Sequence, residues 1–202
     1  RQNWGQVVVA GFGPGNPELL TVKAENALQQ ADILFYDDLL DAGHLEKYRA
    51  EKVYVGKRSC NHAFIQNEIN EKLLFAAISG KNVVRIKGGD PLIFGRGIEE
   101  YHYLKSNLVD VSIIPGISSA QAAAAGSVIP LTARGVSSSV AFLSGHDLDK
   151  LVIPNADTLV FYMAAANQQQ LALKLISAGR HYQTPVAVIQ NASYPNQVVR
   201  HY

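Results

Sequence analysis

The chain has 202 residues, 18 Lys and Arg against 17 Asp and Glu, and a formal net charge of +1. Its basic residues are scattered, which excludes the strongly basic face through which proteins hold nucleic acid. Cys60 is the single cysteine, so an intrachain disulfide and a cysteine zinc cluster are excluded. No run approaches the roughly 18 apolar residues of a membrane helix, and no secretory-leader pattern is read. The setting that fits is the cytoplasm. With 48% hydrophobic and only 17% charged residues, the chain can bury a sizeable core and have apolar surface left for a subunit interface.

The elements follow in chain order. Val7-Val8-Val9-Ala10 is an apolar run of the kind a central parallel strand presents, and it ends in Gly11, Gly13, Pro14 and Gly15. Thr21 is placed to cap a helix through Ala24, Ala27, Leu28 and Ala31. Strands are predicted over 33–36, 52–55, 82–86 and 109–114. Ile65, Ile69, Leu73, Leu74, Ala77 and Ile78 carry helical spacing, and a further helix is predicted over 96–105. This alternation reads as an open, mainly parallel α/β sheet with right-handed crossovers.

A domain boundary is expected near 115–118, giving α/β domains 1–116 and 117–202. Ser118 and Gln121 have capping-box spacing ahead of an alanine-rich helix to about 125. Residues 129–132 form a link. Strands are predicted over 140–144, 158–162 and 186–190, with a helix over 168–178 closed by Gly179. Turns are expected at Thr184-Pro185 and Tyr194-Pro195-Asn196. Residues 198–202 read as a strand or turn only begun, so the second domain is expected to break off at its carboxyl end.

The unusual residues gather at strand ends, where α/β folds bind ligands. Val84-Arg85-Ile86-Lys87 runs into Gly88-Gly89-Asp90-Pro91 and then Ile93-Phe94-Gly95-Arg96-Gly97. Paired glycines let backbone approach a ligand closely, and Pro91 stiffens the exit. Gly11-Phe12-Gly13-Pro14-Gly15 is not the Gly-x-Gly-x-x-Gly of dinucleotide binding, because Pro14 intrudes and the third glycine comes early. Asp37 reads either as a strand-end carboxylate satisfied by amides or as a base or ligand anchor. Asp90 either caps the Gly-Gly turn or accepts from a ligand amine. Lys57, Arg58, Arg85, Lys87, Arg96 and Arg134 lie near strand ends, as a cleft for a polyanion or as a solvated rim. His146 is a candidate ligand contact in a Gly-His-Asp loop. The histidines lack paired metal-ligand spacing, and no nucleophile elbow is present.

Val9 to Thr21, with its Gly11-Phe12-Gly13-Pro14-Gly15-Asn16-Pro17 core, resembles the amino-terminal signature of the tetrapyrrole methylases. Tyr36-Asp37-Asp38-Leu39-Leu40, Val55-Gly56-Lys57-Arg58, Gln66-Asn67-Glu68-Ile69-Asn70 and the 87–97 run resemble the branch that methylates uroporphyrinogen III. Pro115-Gly116-Ile117-Ser118-Ser119, Ile129-Pro130-Leu131-Thr132 and Tyr162-Met163 extend the likeness over nearly the whole chain. The resemblance implies a two-domain tetrapyrrole methylase fold. The first domain carries a mainly parallel sheet on the substrate side, the second a mixed sheet on the cofactor side, with a cleft between them.

It further implies C-methylation of uroporphyrinogen III at C2 and C7 to give precorrin-2, for siroheme or cobalamin. S-adenosyl-L-methionine is the cofactor and S-adenosyl-L-homocysteine its product. Pro14, Gly88, Gly89, Asp90, Ile93, Ser118, Ser119, Met163 and Ala164 are the implied cofactor contacts. Asp37 is the implied base or charge stabiliser, and Lys57 an orienting group; no metal is implied. A homodimer is implied, and in the family the same domain also occurs fused behind a dehydrogenase–ferrochelatase domain. Asp38, Ala133 and Ala164 depart from the arginine, histidine and glycine usual in the family, and Asn61-His62 only partly follows its loop. These departures raise the alternative of a non-catalytic module that binds a tetrapyrrole or S-adenosylmethionine.

Overall fold

The computed structural model describes residues 3–40, 42–56 and 66–202. The chain divides into two units, 1–119 and 120–202. The first is built on a five-stranded sheet. Its strands are β1 (Val7–Gly11), β2 (Ile33–Tyr36), β3 (Glu51–Tyr54), β4 (Val83–Lys87) and β5 (Val111–Ile114). They lie in the order β3-β2-β4-β1-β5, every pair parallel. All carboxyl ends therefore point the same way.

The two-residue period of a strand sends its side chains to two cores. Val7 and Val9 enter one core, with Leu73 and Ala77 of α2 (Gln66–Ile78) and Leu104 of α3 (Gly97–Ser106). Ala10, Val84 and Ile86 enter the other, with Ala24 and Leu28 of α1 (Val22–Gln30). Because both faces are covered, β4 is buried along its whole length. Thr21 caps α1 by accepting from the Ala24 amide at 3.2 Å.

Several boundaries shift by one or two residues from the sequence expectation, and two of the shifts have a visible cause. β3 begins at Glu51, whose amide donates to Asp32. β5 begins at Val111, because Leu108 and Val109 are used to close α3. Leu108 takes a left-handed φ of 63°, and the Val109 amide donates back to the Leu104 carbonyl at 3.1 Å. Val109 and Leu104 then share one apolar cluster, as a C-terminal cap of this kind requires.

In the second unit, α4 (Ser119–Ser127) leads to β6 (Val140–Ser144), which pairs in parallel with β7 (Thr158–Tyr162). After α5 (Gln168–Ser177), β8 (Ala187–Gln190) pairs antiparallel with β9 (Val198–His201). The mixed strand directions are thus carried by two two-stranded sheets.

The carboxyl ends of β1, β4 and β5 close on one another. A Cβ on Gly116 would lie 2.2 Å from the Gly89 carbonyl oxygen and 2.9 Å from Gly11 Cα. A Cβ on Gly11 would meet the Gly116 amide nitrogen at 2.6 Å. These neighbours are backbone and cannot swing away. Gly116→Ala is therefore expected to cost about 1–3 kcal/mol by overpacking, read as a lower urea midpoint at unchanged slope. An unchanged midpoint would show that the three ends can separate without loss.

Candidate active site

The carboxyl end of β4 carries Arg85 and Lys87, which alternate with Val84 and Ile86 and so share one face of the strand. That face meets α3, and the structure buries both cations; Arg85 is 2% exposed and Lys87 7%. The expectation that they could line a cleft for a polyanion is corrected by this burial. Each is neutralised from within. Arg85 Nε donates to Glu100 Oε1 at 3.1 Å, and Lys87 Nζ lies 3.3 Å from the same oxygen. Arg85 Nη1 donates to the Ile86 carbonyl at 2.7 Å.

The remaining fork of Arg85 reaches Asp37. Nη2 donates to Asp37 Oδ2 at 2.7 Å, and Asp37 Oδ1 accepts from the Leu39 amide at 3.3 Å. Asp37 stands one residue beyond β2, the strand beside β4, with its side chain 20% exposed. The carboxylate is thus clamped from below yet open to solvent. Burial pushes the Lys87 ammonium below its usual range, and Arg85 pushes the same way; Glu100 and Asp37 oppose the shift.

Glu100 was not singled out from the sequence, where 96–105 reads only as a helix. The missed signal is spacing. Gly97, Glu100 and Leu104 recur at three and four residues and are the buried positions of α3. Glu100 therefore sits on the apolar stripe. Gln66 of α2 adds a hydrogen bond to Oε1 at 3.2 Å, while Oε2 has no partner among the described residues.

The glycine loops gather beside this cluster. Gly89, at φ 67°, donates its amide to the Gly13 carbonyl at 2.7 Å, and the Gly13 amide donates back at 3.3 Å. Asp90 Oδ2 accepts from the Gly116 amide at 3.1 Å and Oδ1 from the Leu92 amide at 2.8 Å. Asp90 therefore ties the β4 and β5 loops together, which is the turn-capping alternative read from the sequence. A Cβ on Gly88 would meet Leu39 Cβ at 2.8 Å, so the Asp37 turn lies over this loop. A Cβ on Gly89 would find only Ser118 Cα at 3.8 Å and the Ser119 nitrogen at 3.9 Å.

Gly88, Gly89, Asp90, Ser118 and Ser119 are thus brought together, with Pro14 following Gly13 in the β1 turn. Ile93 is half-buried in the loop after Pro91, and Ser118 is buried. In the second unit, Met163 takes a left-handed φ of 57° directly after β7, and Ala164 packs against Gly145.

The other candidates scatter. Arg96 pairs with Glu99 at an exposed i,i+3 position. Arg134 is exposed, and His146 is exposed in the loop after β6. Asp38, one of the family departures, accepts from the Tyr54 hydroxyl. Ala133 donates its amide to the Ser137 carbonyl in a tight turn. Lys57, Arg58, Asn61 and His62 lie outside the described residues. Among the described residues, no group of His, Cys, Asp and Glu could hold a metal ion. None of their helices is long and apolar enough to cross a membrane.

A parallel α/β sheet that gathers glycine loops and anchored carboxylates at its carboxyl edge has the arrangement at which α/β folds bind small molecules. The chain belongs to the tetrapyrrole (corrin/porphyrin) methylases, whose family profile matches residues 6–202. It is 47% identical over 204 residues to a siroheme synthase of Psychrobacter cryohalolentis, covering 96% of this chain and 39% of that protein. A siroheme synthase of Pseudomonas fluorescens is 45% identical over 205 residues, covering 96% and 44%. The chain thus spans about two fifths of the length of these curated relatives. The structure of uroporphyrin-III C-methyl transferase from Thermus thermophilus, complexed with S-adenyl homocysteine, matches with a TM-score of 0.84. It is 36% identical and covers 98% of this chain and 83% of that one.

Arg85→Met is expected to remove the cation that holds Asp37 and one of the two beside the buried Glu100, and to cost about 3–5 kcal/mol, measured by urea unfolding. A loss below about 1 kcal/mol would mean that the Arg85 pairs behave as solvated surface pairs.

Proposed function

We propose that this chain transfers methyl groups from S-adenosyl-L-methionine to C2 and C7 of uroporphyrinogen III, forming precorrin-2 and S-adenosyl-L-homocysteine. The observation that carries this reading is the clamped Asp37 carboxylate beside the joined Gly13, Gly89 and Gly116 loops. The likeness to a Thermus thermophilus enzyme described as a uroporphyrin-III C-methyl transferase with S-adenyl homocysteine supports the same chemistry. The chain is proposed to act in the cytoplasm as a homodimer, and as the methylase part of a larger siroheme synthase. Its first unit is the proposed substrate side and its second the proposed cofactor side.

The residues present fit the cofactor. Gly89 presents bare backbone beside Ser118 and Ser119, where a side chain would occupy the space. Pro14, Gly88, Gly89, Asp90, Ile93, Ser118 and Ser119 are the proposed contacts of the first unit, and Met163 and Ala164 those of the second. Asp90 acts by holding the loop, because both its oxygens accept loop amides. When bound, the cofactor supplies an electrophilic methyl on a sulfonium.

The work left to the protein is alignment and management of charge. Attack by the pyrrole carbon makes the macrocycle cationic, and the macrocycle must then lose a proton from another position. Asp37 places a fixed negative charge there, with a solvent-facing carboxylate to receive that proton. Lys57 is the proposed group that orients the acidic arms of the ring. Arg85 and Lys87 take no part in substrate binding, since both are buried.

Asp37→Ala is expected to lower methyl transfer by about 10²–10⁴-fold while calorimetry finds cofactor affinity within about twofold of the parent. Labelled methyl donor incubated with uroporphyrinogen III reads the transfer. No label in the tetrapyrrole with the parent chain would favour a non-catalytic binding module. Equal labelling by the variant would remove Asp37 from the chemistry.

A further inference from the structure

We infer that Glu100 is a positioning residue for the methyl transfer: from the buried stripe of α3 it fixes Arg85, and through Arg85 the Asp37 carboxylate. This inference rests on the proposed role of Asp37. The chain of contacts is continuous. Glu100 Oε1 accepts from Arg85 Nε at 3.1 Å, and Arg85 Nη2 donates to Asp37 Oδ2 at 2.7 Å. A guanidinium is a rigid planar fork, so fixing Nε fixes the direction in which Nη2 points. The Ile86 and Phe35 carbonyls accept from Nη1 at 2.7 and 3.4 Å and hold the third corner.

Glu100 has no exposed surface, and an apolar side chain there would avoid its desolvation but would leave Arg85 and Lys87 as buried cations short of one carboxylate. Oε2 adds a buried acceptor with no partner among the described residues, which costs further. What the carboxylate supplies is charge. Arg85 and Lys87 carry two positive charges, and Asp37 and Glu100 two negative ones. Without Glu100, Asp37 alone faces both cations and Arg85 Nε loses its acceptor. Among the described residues, Arg96 and Glu99 at the start of α3 neutralise each other, and Asp90 is turned to the Leu92 and Gly116 amides. Asp38 is held by Tyr54, and the residues of α2 that reach the cluster, Gln66 and Asn70, are neutral. Glu68, Glu71 and Lys72 of α2 are exposed.

The test uses the full chain and three variants. Glu100→Gln keeps the shape and removes the charge. Glu100→Gln with Lys87→Met restores the charge balance. Asp37→Asn is the reference. Glu100→Gln is expected to lower kcat by about tenfold or more, with S-adenosylmethionine affinity within about twofold. The double variant is expected to recover at least about threefold of the lost turnover; a residue that only packs would give no such recovery. Turnover of Glu100→Gln within about twofold of the parent would overturn the inference. So would a fall in kcat that follows affinity and melting temperature and is not recovered by Lys87→Met. If Asp37→Asn turns over normally, the proposed role of Asp37 fails and the inference with it. If Asp37→Asn is inactive while Glu100→Gln is unaffected, only the role of Glu100 fails.

Discussion

Arg85 and Lys87 are both withdrawn from water at the end of β4, and the surrounding elements are arranged to neutralise them. A buried cation without a partner costs several kcal/mol. Unit charges 4 Å apart interact by roughly 4 kcal/mol at the effective dielectric near a protein surface. That scale makes the position of each carboxylate matter. Glu100 arrives from α3 and Asp37 from the turn after β2, so three elements are tied at one point. The exposed Arg96–Glu99 pair is a useful contrast, since such pairs contribute about 0–1 kcal/mol.

The glycine loops follow from the same sheet edge. With every strand parallel, the ends of β1, β4 and β5 emerge side by side. Their loops can meet only where backbone touches backbone, as at Gly11, Gly89 and Gly116. Asp90 then locks the β4 loop to the β5 loop through the Gly116 amide. A surface of fixed backbone results beside a fixed carboxylate. Methyl transfer from a sulfonium to an electron-rich carbon asks for such rigidity, because the reaction gains mainly from alignment.

Much of this was legible in the sequence because the central strands are buried on both faces. Val7-Val8-Val9 and the strand around Val84 and Ile86 stand out as apolar runs, and their glycine ends mark the carboxyl edge of the sheet. Arg85 and Lys87 were the misleading positions. Alternation alone makes them look like a polar edge, and their partner Glu100 lies 15 and 13 residues further on. The pairing exists only once α3 has crossed back onto the sheet. Glu100 itself hides beside Glu99, and only the spacing of Gly97 and Leu104 places it inward. Val109 was drawn into a strand by its apolar character, whereas the structure uses it to close α3.

The coupling of Asp37 to Glu100 through Arg85 is measured most directly by a double-mutant cycle on unfolding free energy. The cycle compares Asp37→Asn, Glu100→Gln and the pair. Joint clamping of one guanidinium predicts that the double variant departs from the sum of the singles by about 0.5–3 kcal/mol. Additivity to within about 0.3 kcal/mol would contradict it, leaving the two carboxylates as independent neighbours.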